Sequence, residues 1–162
     1  MSVKNIAAIT GDTLLRKQVA MLAVIFAAGF SISALAQTGV DGATVYKRCA
    51  ACHLSTRAGV PGAFPPLRGD VSAFAEKTDG RRYLVLVLAR GLGGPIKAEG
   101  KVFSGMMPAQ SMLSADEVAA VLNFLAQPKV EFTAAEVTQL RASGAEWSPA
   151  QVAELNAKLT GQ

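Results

Sequence analysis

Cys49 and Cys52 stand three residues apart with His53 directly after the second, and these are the only cysteines and the only histidine in 162 residues. A C-x-x-C-H run reads as a covalent attachment site for a c-type haem. Side chains at i, i+3 and i+4 share one face of a helical turn, so the three can meet one flat object together. The two thiols would add across the haem vinyl groups as thioethers, and the His53 imidazole would take one axial position on the iron. Other uses of the pattern fit less well. A thioredoxin-like pair wants a βαβ context, and no parallel-strand pattern surrounds Cys49. A zinc site wants four ligands, more than these three residues supply. A disulfide between residues so close in sequence is rarer still.

The segment before the motif has the layout of an export signal. Lys4, Arg16 and Lys17 give a positive start, Val19 to Phe30 an apolar run, and Ala34-Leu-Ala36 an A-x-A-like cleavage site. Residues 1–36 are therefore expected to be a cleaved secretory signal peptide, with retention as an anchor the other use of such a run. The positive mean hydropathy of the chain owes part of its value to this segment. Of the 16 basic and 12 acidic residues, three and one lie in it, which leaves a net charge of only +2 beyond residue 36. Two ionised haem carboxylates would cancel that excess. The balance argues against a nucleic-acid partner and against a strongly basic membrane-binding patch. With both cysteines used by the haem, none is left for a disulfide.

The remaining 126 residues are enough for one small domain and read as helices joined by loops. Asp41 to Ala50 fits a short helix that brings Cys49 to the haem, with Val45 and Tyr46 as its apolar contacts. Leu54 to Leu67 is rich in Gly and Pro and reads as a loop. Asp70 to Lys77 fits a short helix with Asp70 as cap. Leu84-Val-Leu-Val-Leu88 has strand-like composition, but Asp79 as a start signal, Arg90 in the last turn and Gly91 beyond it favour a helix over 79–90, buried beside the haem. Gly91 to Gly105 reads as a loop. Ser114 and Glu117 form a capping box with Leu113 and Val118 as its staple, and Val118, Val121, Leu122 and Leu125 recur at helical spacing. The same signature returns at Phe132 to Val137 and at Trp147 to Val152, so two more helices are expected at about 133–143 and 148–159. Their apolar residues Val137, Leu140, Val152, Leu155 and Leu159 are few. They are expected to form a helical hairpin lying on the haem domain, either as a docking surface or cover, or as packing alone.

On Cys49-Ala-Ala-Cys-His53, Gly62-Ala-Phe-Pro-Pro-Leu67 and Gly105-Met-Met-Pro108 followed by a helix, the stretch from about Gly42 to Gln127 resembles the class I c-type cytochromes of the bacterial periplasmic group. The resemblance implies an all-α cytochrome c fold around one covalent haem c, and transfer of single electrons. It divides the chain into residues 1–36 as leader, 37–128 as haem domain and 129–162 as a C-terminal helical extension that short family members lack. It implies a crossing of the first and last helices of the haem domain, to which Gly42, Tyr46 and Phe124 correspond. It also implies that the Pro65 carbonyl, twelve residues after His53, receives the second ring N–H of that histidine. Phe64 and Leu67 would pack on the haem or fill core.

With one histidine, the sixth iron ligand must be methionine, lysine, water or nothing. The family's axial methionine stands immediately before a proline and a capped helix, which selects Met107; Met106 and Met112 are the competitors, since methionine is more often used for packing. A thioether suits reduced iron, so His53/Met107 ligation raises the reduction potential and closes the metal to other ligands. The expected function is that of a periplasmic monohaem electron carrier and not an enzyme. Its redox partners would be a periplasmic dehydrogenase of alcohol or sulfite type, a terminal oxidase or another cytochrome, and it could serve as the electron-transfer subunit of an oxidoreductase complex. After cleavage no stable membrane insertion is expected. The alternative is a haem enzyme or gas-binding protein with an open or labile sixth position. Lys47, Arg48, Arg57 and Lys97 are candidate contacts for an acidic partner, though scattered basic residues usually mark only a solvated face.

Overall fold

The computed structural model describes residues 39–127 and 130–161. The expected leader, 1–36, lies outside them. Among the described residues no helix is long and apolar enough to cross a membrane.

Helix α1, Gly42–Tyr46, starts at Asp41, whose carboxylate accepts from the N–H groups of Ala43 and Thr44. It is shorter than the expected helix to Ala50. Residues 47–49 are held by tighter bonds to the carbonyl three residues back (Lys47 to Thr44, Arg48 to Val45, Cys49 to Tyr46), and regular helix resumes only in α2, Ala50–His53. The change of pitch rotates the attachment turn relative to α1. Helix α3 spans Gly69–Ala75 and α4 Thr78–Arg90. Asp70 is not the cap of α3: Arg68 occupies that position without a capping bond, and Asp70 lies in the first turn. One N-terminal donor is served from a distance instead. Glu99 Oε1 accepts from Gly69 N–H at 3.3 Å, and Asp70 Oδ2 accepts from Glu99 N–H.

The stretch expected as a loop after α4 carries two small antiparallel ribbons. In one, β1 (Leu92–Gly93) pairs with β4 (Met106–Met107), Leu92 opposite Met107; in the other, β2 (Ile96–Ala98) pairs with β3 (Lys101–Phe103). The five glycines from 91 to 105 hid this ordering, because they break any periodic pattern. Helix α5, Ala115–Ala126, carries the expected reciprocal capping box of Ser114 and Glu117, and its staple residues Leu113 and Val118 are buried.

Helices α6, Ala134–Ala142, and α7, Pro149–Thr160, complete the chain. Ser148 and Gln151 cap α7 reciprocally. At α6 the box is half made: Thr133 accepts from Glu136 N–H, while the Glu136 carboxylate turns away to Arg81. The two helices contact the body more than each other. α6 packs on α4 and α5, whereas α7 packs on α4 and on strands β1 and β2. Arginines on α4 fasten them: Arg81 reaches Glu136 and the Glu131 carbonyl, Arg82 donates to the Ser143 carbonyl at 2.8 Å, and Arg90 to that of Gly144 at 3.1 Å. Arg81 and Arg82 also cover the rings of Phe132 and Trp147.

α1 crosses α5 at Gly42. A Cβ there would fall 2.1 Å from the Ala120 carbonyl oxygen, so only glycine permits this approach. One turn on, the Tyr46 and Phe124 rings stand 5.5 Å apart. The core runs from this crossing through α4 to the buried faces of α6 and α7, with Val85, Leu86, Val118, Val121, Phe132, Val137 and Val152 enclosed within it.

Candidate haem site

The attachment turn is set by its own backbone. His53 N–H donates to the Cys49 carbonyl at 2.9 Å, which puts Cys49 one turn before the histidine on the same face. Cys49 and Cys52 are free thiols. Burial pushes the Cys49 thiol above its ordinary value, and the Arg48 guanidinium pulls in the other direction.

His53 is 5% exposed. Its Nδ1 lies 2.8 Å from the Pro65 carbonyl oxygen. A carbonyl only accepts, so Nδ1 carries a proton, and Nε2 is the ring nitrogen left to meet a metal. The loop between them is folded tightly enough to make this contact. Gly59 N–H donates to the His53 carbonyl at 3.1 Å, Val60 N–H to that of Phe64 at 2.8 Å, and Leu67 N–H to that of Arg57 at 2.9 Å. Gly59 has φ +64°, and a Cβ on it would fall 2.3 Å from the Phe64 carbonyl oxygen. The Tyr46 hydroxyl donates to the Leu54 carbonyl at 2.8 Å and ties the start of the loop to α1.

In front of His53 lies a slot in two parts. The larger, about 780 Å³ of space free of protein atoms, is lined by Cys49, His53, Pro65, Leu67, Met107 and the apolar faces of α3, α4 and α5. The smaller, about 480 Å³, is lined by Cys52, His53, Phe64, Pro65, Met106 and Met107. Each part holds one cysteine, and His53, Pro65 and Met107 belong to both. The apolar lining, two unpaired thiols and a histidine with one free ring nitrogen fit a covalently held haem.

All six sequence-selected residues, Cys49, Cys52, His53, Pro65, Leu67 and Met107, thus border one slot. The competing methionines separate from Met107: Met112 is 90% exposed and borders neither part, and Met106 is 79% exposed and touches only the smaller. Met107 is half-buried against the core, its backbone held opposite Leu92. Sequence reasoning missed four polar residues at the larger part, Asp70, Tyr83, Lys97 and Asn156. The one available signal was Asn156, four residues after Val152 and next to Leu155 on an otherwise apolar stripe.

Residues 39–129 match the family model described as "Cytochrome c". The chain is 42% identical over 137 residues to a cytochrome c-552 of Thermus thermophilus, covering 79% of this chain and 91% of the relative. It is 44% identical over 128 residues to another Thermus thermophilus cytochrome c-552, covering 74% and 96% of the two chains.

Proposed function

Because the chain belongs to the cytochrome c family, as a class I member with one covalent haem c and the role of an electron carrier, we propose that His53 and Met107 are its two axial ligands and that it shuttles single electrons in the periplasm. The bound haem supplies a one-electron iron couple. The chain supplies the rest. Cys49 and Cys52 would anchor the group from the two parts of the slot. The Pro65 carbonyl holds the Nδ1 proton of His53, which fixes the ring and strengthens its donation to a metal. Leu67 and the faces of α3, α4 and α5 exclude water, which lowers the cost of reorganisation when charge changes.

The observation that carries this reading is the shared position of His53 and Met107, the two residues of ligating type that border both parts of the slot. His53 and Met107 would together leave the metal no place for a substrate, so the chain would pass electrons without transforming a small molecule. The donor fitting this role is a periplasmic dehydrogenase of alcohol or sulfite type, and the acceptor a terminal oxidase or another cytochrome. The leader at 1–36 would deliver the protein there.

Optical spectra of the oxidised protein test the ligand set. The weak far-red sulfur-to-iron charge-transfer band is expected in the wild type, in Met106→Ala and in Met112→Ala, and is lost in Met107→Ala. If the wild type lacks the band and its reduced form binds carbon monoxide readily at neutral pH, the sixth position is open, and the chain is a haem enzyme or gas-binding protein instead.

A further inference from the structure

One polar side chain reaches the slot from α7, outside the segment that matches the family model. Asn156 is 1% exposed. Lys97, in β2, dictates its orientation: Lys97 N–H donates to Asn156 Oδ1 at 2.9 Å, and Asn156 Nδ2 donates to the Lys97 carbonyl at 3.2 Å. A backbone N–H can only donate and a carbonyl only accept, so the pair settles which end of the amide is oxygen. The second hydrogen on Nδ2 then meets the Tyr83 hydroxyl oxygen at 3.3 Å, and that oxygen has to accept.

The consequence falls on the proton of Tyr83. This residue is 5% exposed and lines the larger part of the slot beside Asn156. Burial pushes its phenol well above the ordinary value, so the proton stays on. Among the described residues the hydroxyl has no second partner. Asp70 also lines the slot, but its carboxylate accepts from Glu99 N–H and, among the described residues, makes no hydrogen bond to Tyr83. A buried O–H left without an acceptor is costly, so this one calls for an acceptor inside the slot.

We propose that Asn156 is a positioning residue of the redox site: it holds the Tyr83 hydroxyl as a donor aimed into the slot, toward a carboxylate of the bound haem, and thereby raises the reduction potential. The proposal rests on the haem occupying the slot as described above. The carboxylates are the strong anionic acceptors of that group, and a donor to one of them shares its negative charge. Less negative charge then remains to favour the more positive, oxidised iron. The C-terminal extension would thus set the electrostatics of the site as well as pack on it.

Equilibrium redox titration of the haem-loaded full chain tests this, with Tyr83→Phe, Asn156→Asp and the double variant. Tyr83→Phe removes the donor and leaves the Asn156–Lys97 pairing intact. It is expected to lower the reduced-to-oxidised ratio at fixed ambient potential on the order of tenfold, which is 59 mV for one electron. In Asn156→Asp the carboxylate accepts the Tyr83 proton and turns it out of the slot. Its shift, which includes the effect of the added charge, should be smaller in the Tyr83→Phe background than alone. Resonance Raman bands of the haem carboxylates should move in Tyr83→Phe. An unchanged potential and unchanged carboxylate bands in Tyr83→Phe would overturn the proposal, and strictly additive shifts would remove Asn156 from it. Failure of the underlying reading looks different: the wild type would carry no covalent haem, which its absorption spectrum reveals before any titration.

Discussion

The two walls of the slot are built on different scales of the chain. The His53 wall is local: within residues 53–67, backbone bonds from Gly59, Val60 and Leu67 bring the Pro65 carbonyl to the imidazole. The Met107 wall is assembled from distant pieces. Met107 pairs with Leu92 in β1, and α7, some forty residues further along, packs on β1. Pro149 and Ala153 of α7 stand at Gly93 and Gly94 behind that strand. A local wall keeps its shape when tertiary packing weakens, whereas an assembled wall holds only while every layer does. Under the proposed ligation, the Met107 sulfur should therefore be the first contact to yield under stress and His53 the last.

Cutting into the assembled wall gives the largest expected effect. Leu155 on α7 is buried, and Leu155→Ala should cost about 2–5 kcal/mol. The loss should be uneven. On heating, the far-red sulfur band should vanish well below the temperature at which the far-ultraviolet signal of the helices collapses, with the haem still attached. Simultaneous loss of both signals in this variant would mean that the two walls are one cooperative unit.

Gly59→Ala strikes the local wall. The left-handed backbone and the clash with the Phe64 carbonyl should cost about 1–3 kcal/mol and push the Pro65 carbonyl away from His53. A histidine that loses this acceptor donates less strongly to iron, so the oxidised state is favoured less and the reduction potential should rise. The sulfur band should survive. A lowered potential, or loss of the band, would show that the loop acts on the Met107 side.

The contrast between the walls also explains what could be read before folding. The attachment turn and the capping boxes at Ser114 and Ser148 depend on residues close in sequence, and they left plain signals, whereas the Gly42 crossing with Ala120 was expected only from the family resemblance. Asp70 misled because its carboxylate is claimed by Glu99 N–H, 29 residues away, while the Glu99 carboxylate accepts from Gly69 N–H at the start of the helix. The β1–β4 ribbon was hidden for the same reason. Strands of two residues carry no period, and β1 and β4 find each other across residues 94–105 between them. Arg81 and Arg82 were indistinguishable from a solvated face until the extension supplied Glu136, Phe132, Ser143 and Trp147 as their partners.

The smallest expected effect lies in that fastening and separates charge from packing within it. Hydrogen bonds from Arg81 hold the Glu136 carboxyl below its ordinary value of 4.5. A depressed folded-state value means that the unfolded chain binds the proton more readily. The contribution is therefore complete above the unfolded value near 4.5 and is lost as pH falls through the lower folded value. The pair is partly exposed, with side chains 18% and 29% accessible, so water screens it and its worth is about 0.2–1 kcal/mol. Glu136→Gln should be less stable than wild type by that amount in urea at pH 7, and the gap should narrow as the pH is taken below 4.5 and close once the wild-type carboxyl has gained its proton. A gap that persists undiminished down the whole acid limb would assign the fastening of α6 to the stacking of Arg81 on Phe132 and to its bonds with the Ala75 and Glu131 carbonyls, none of which titrates.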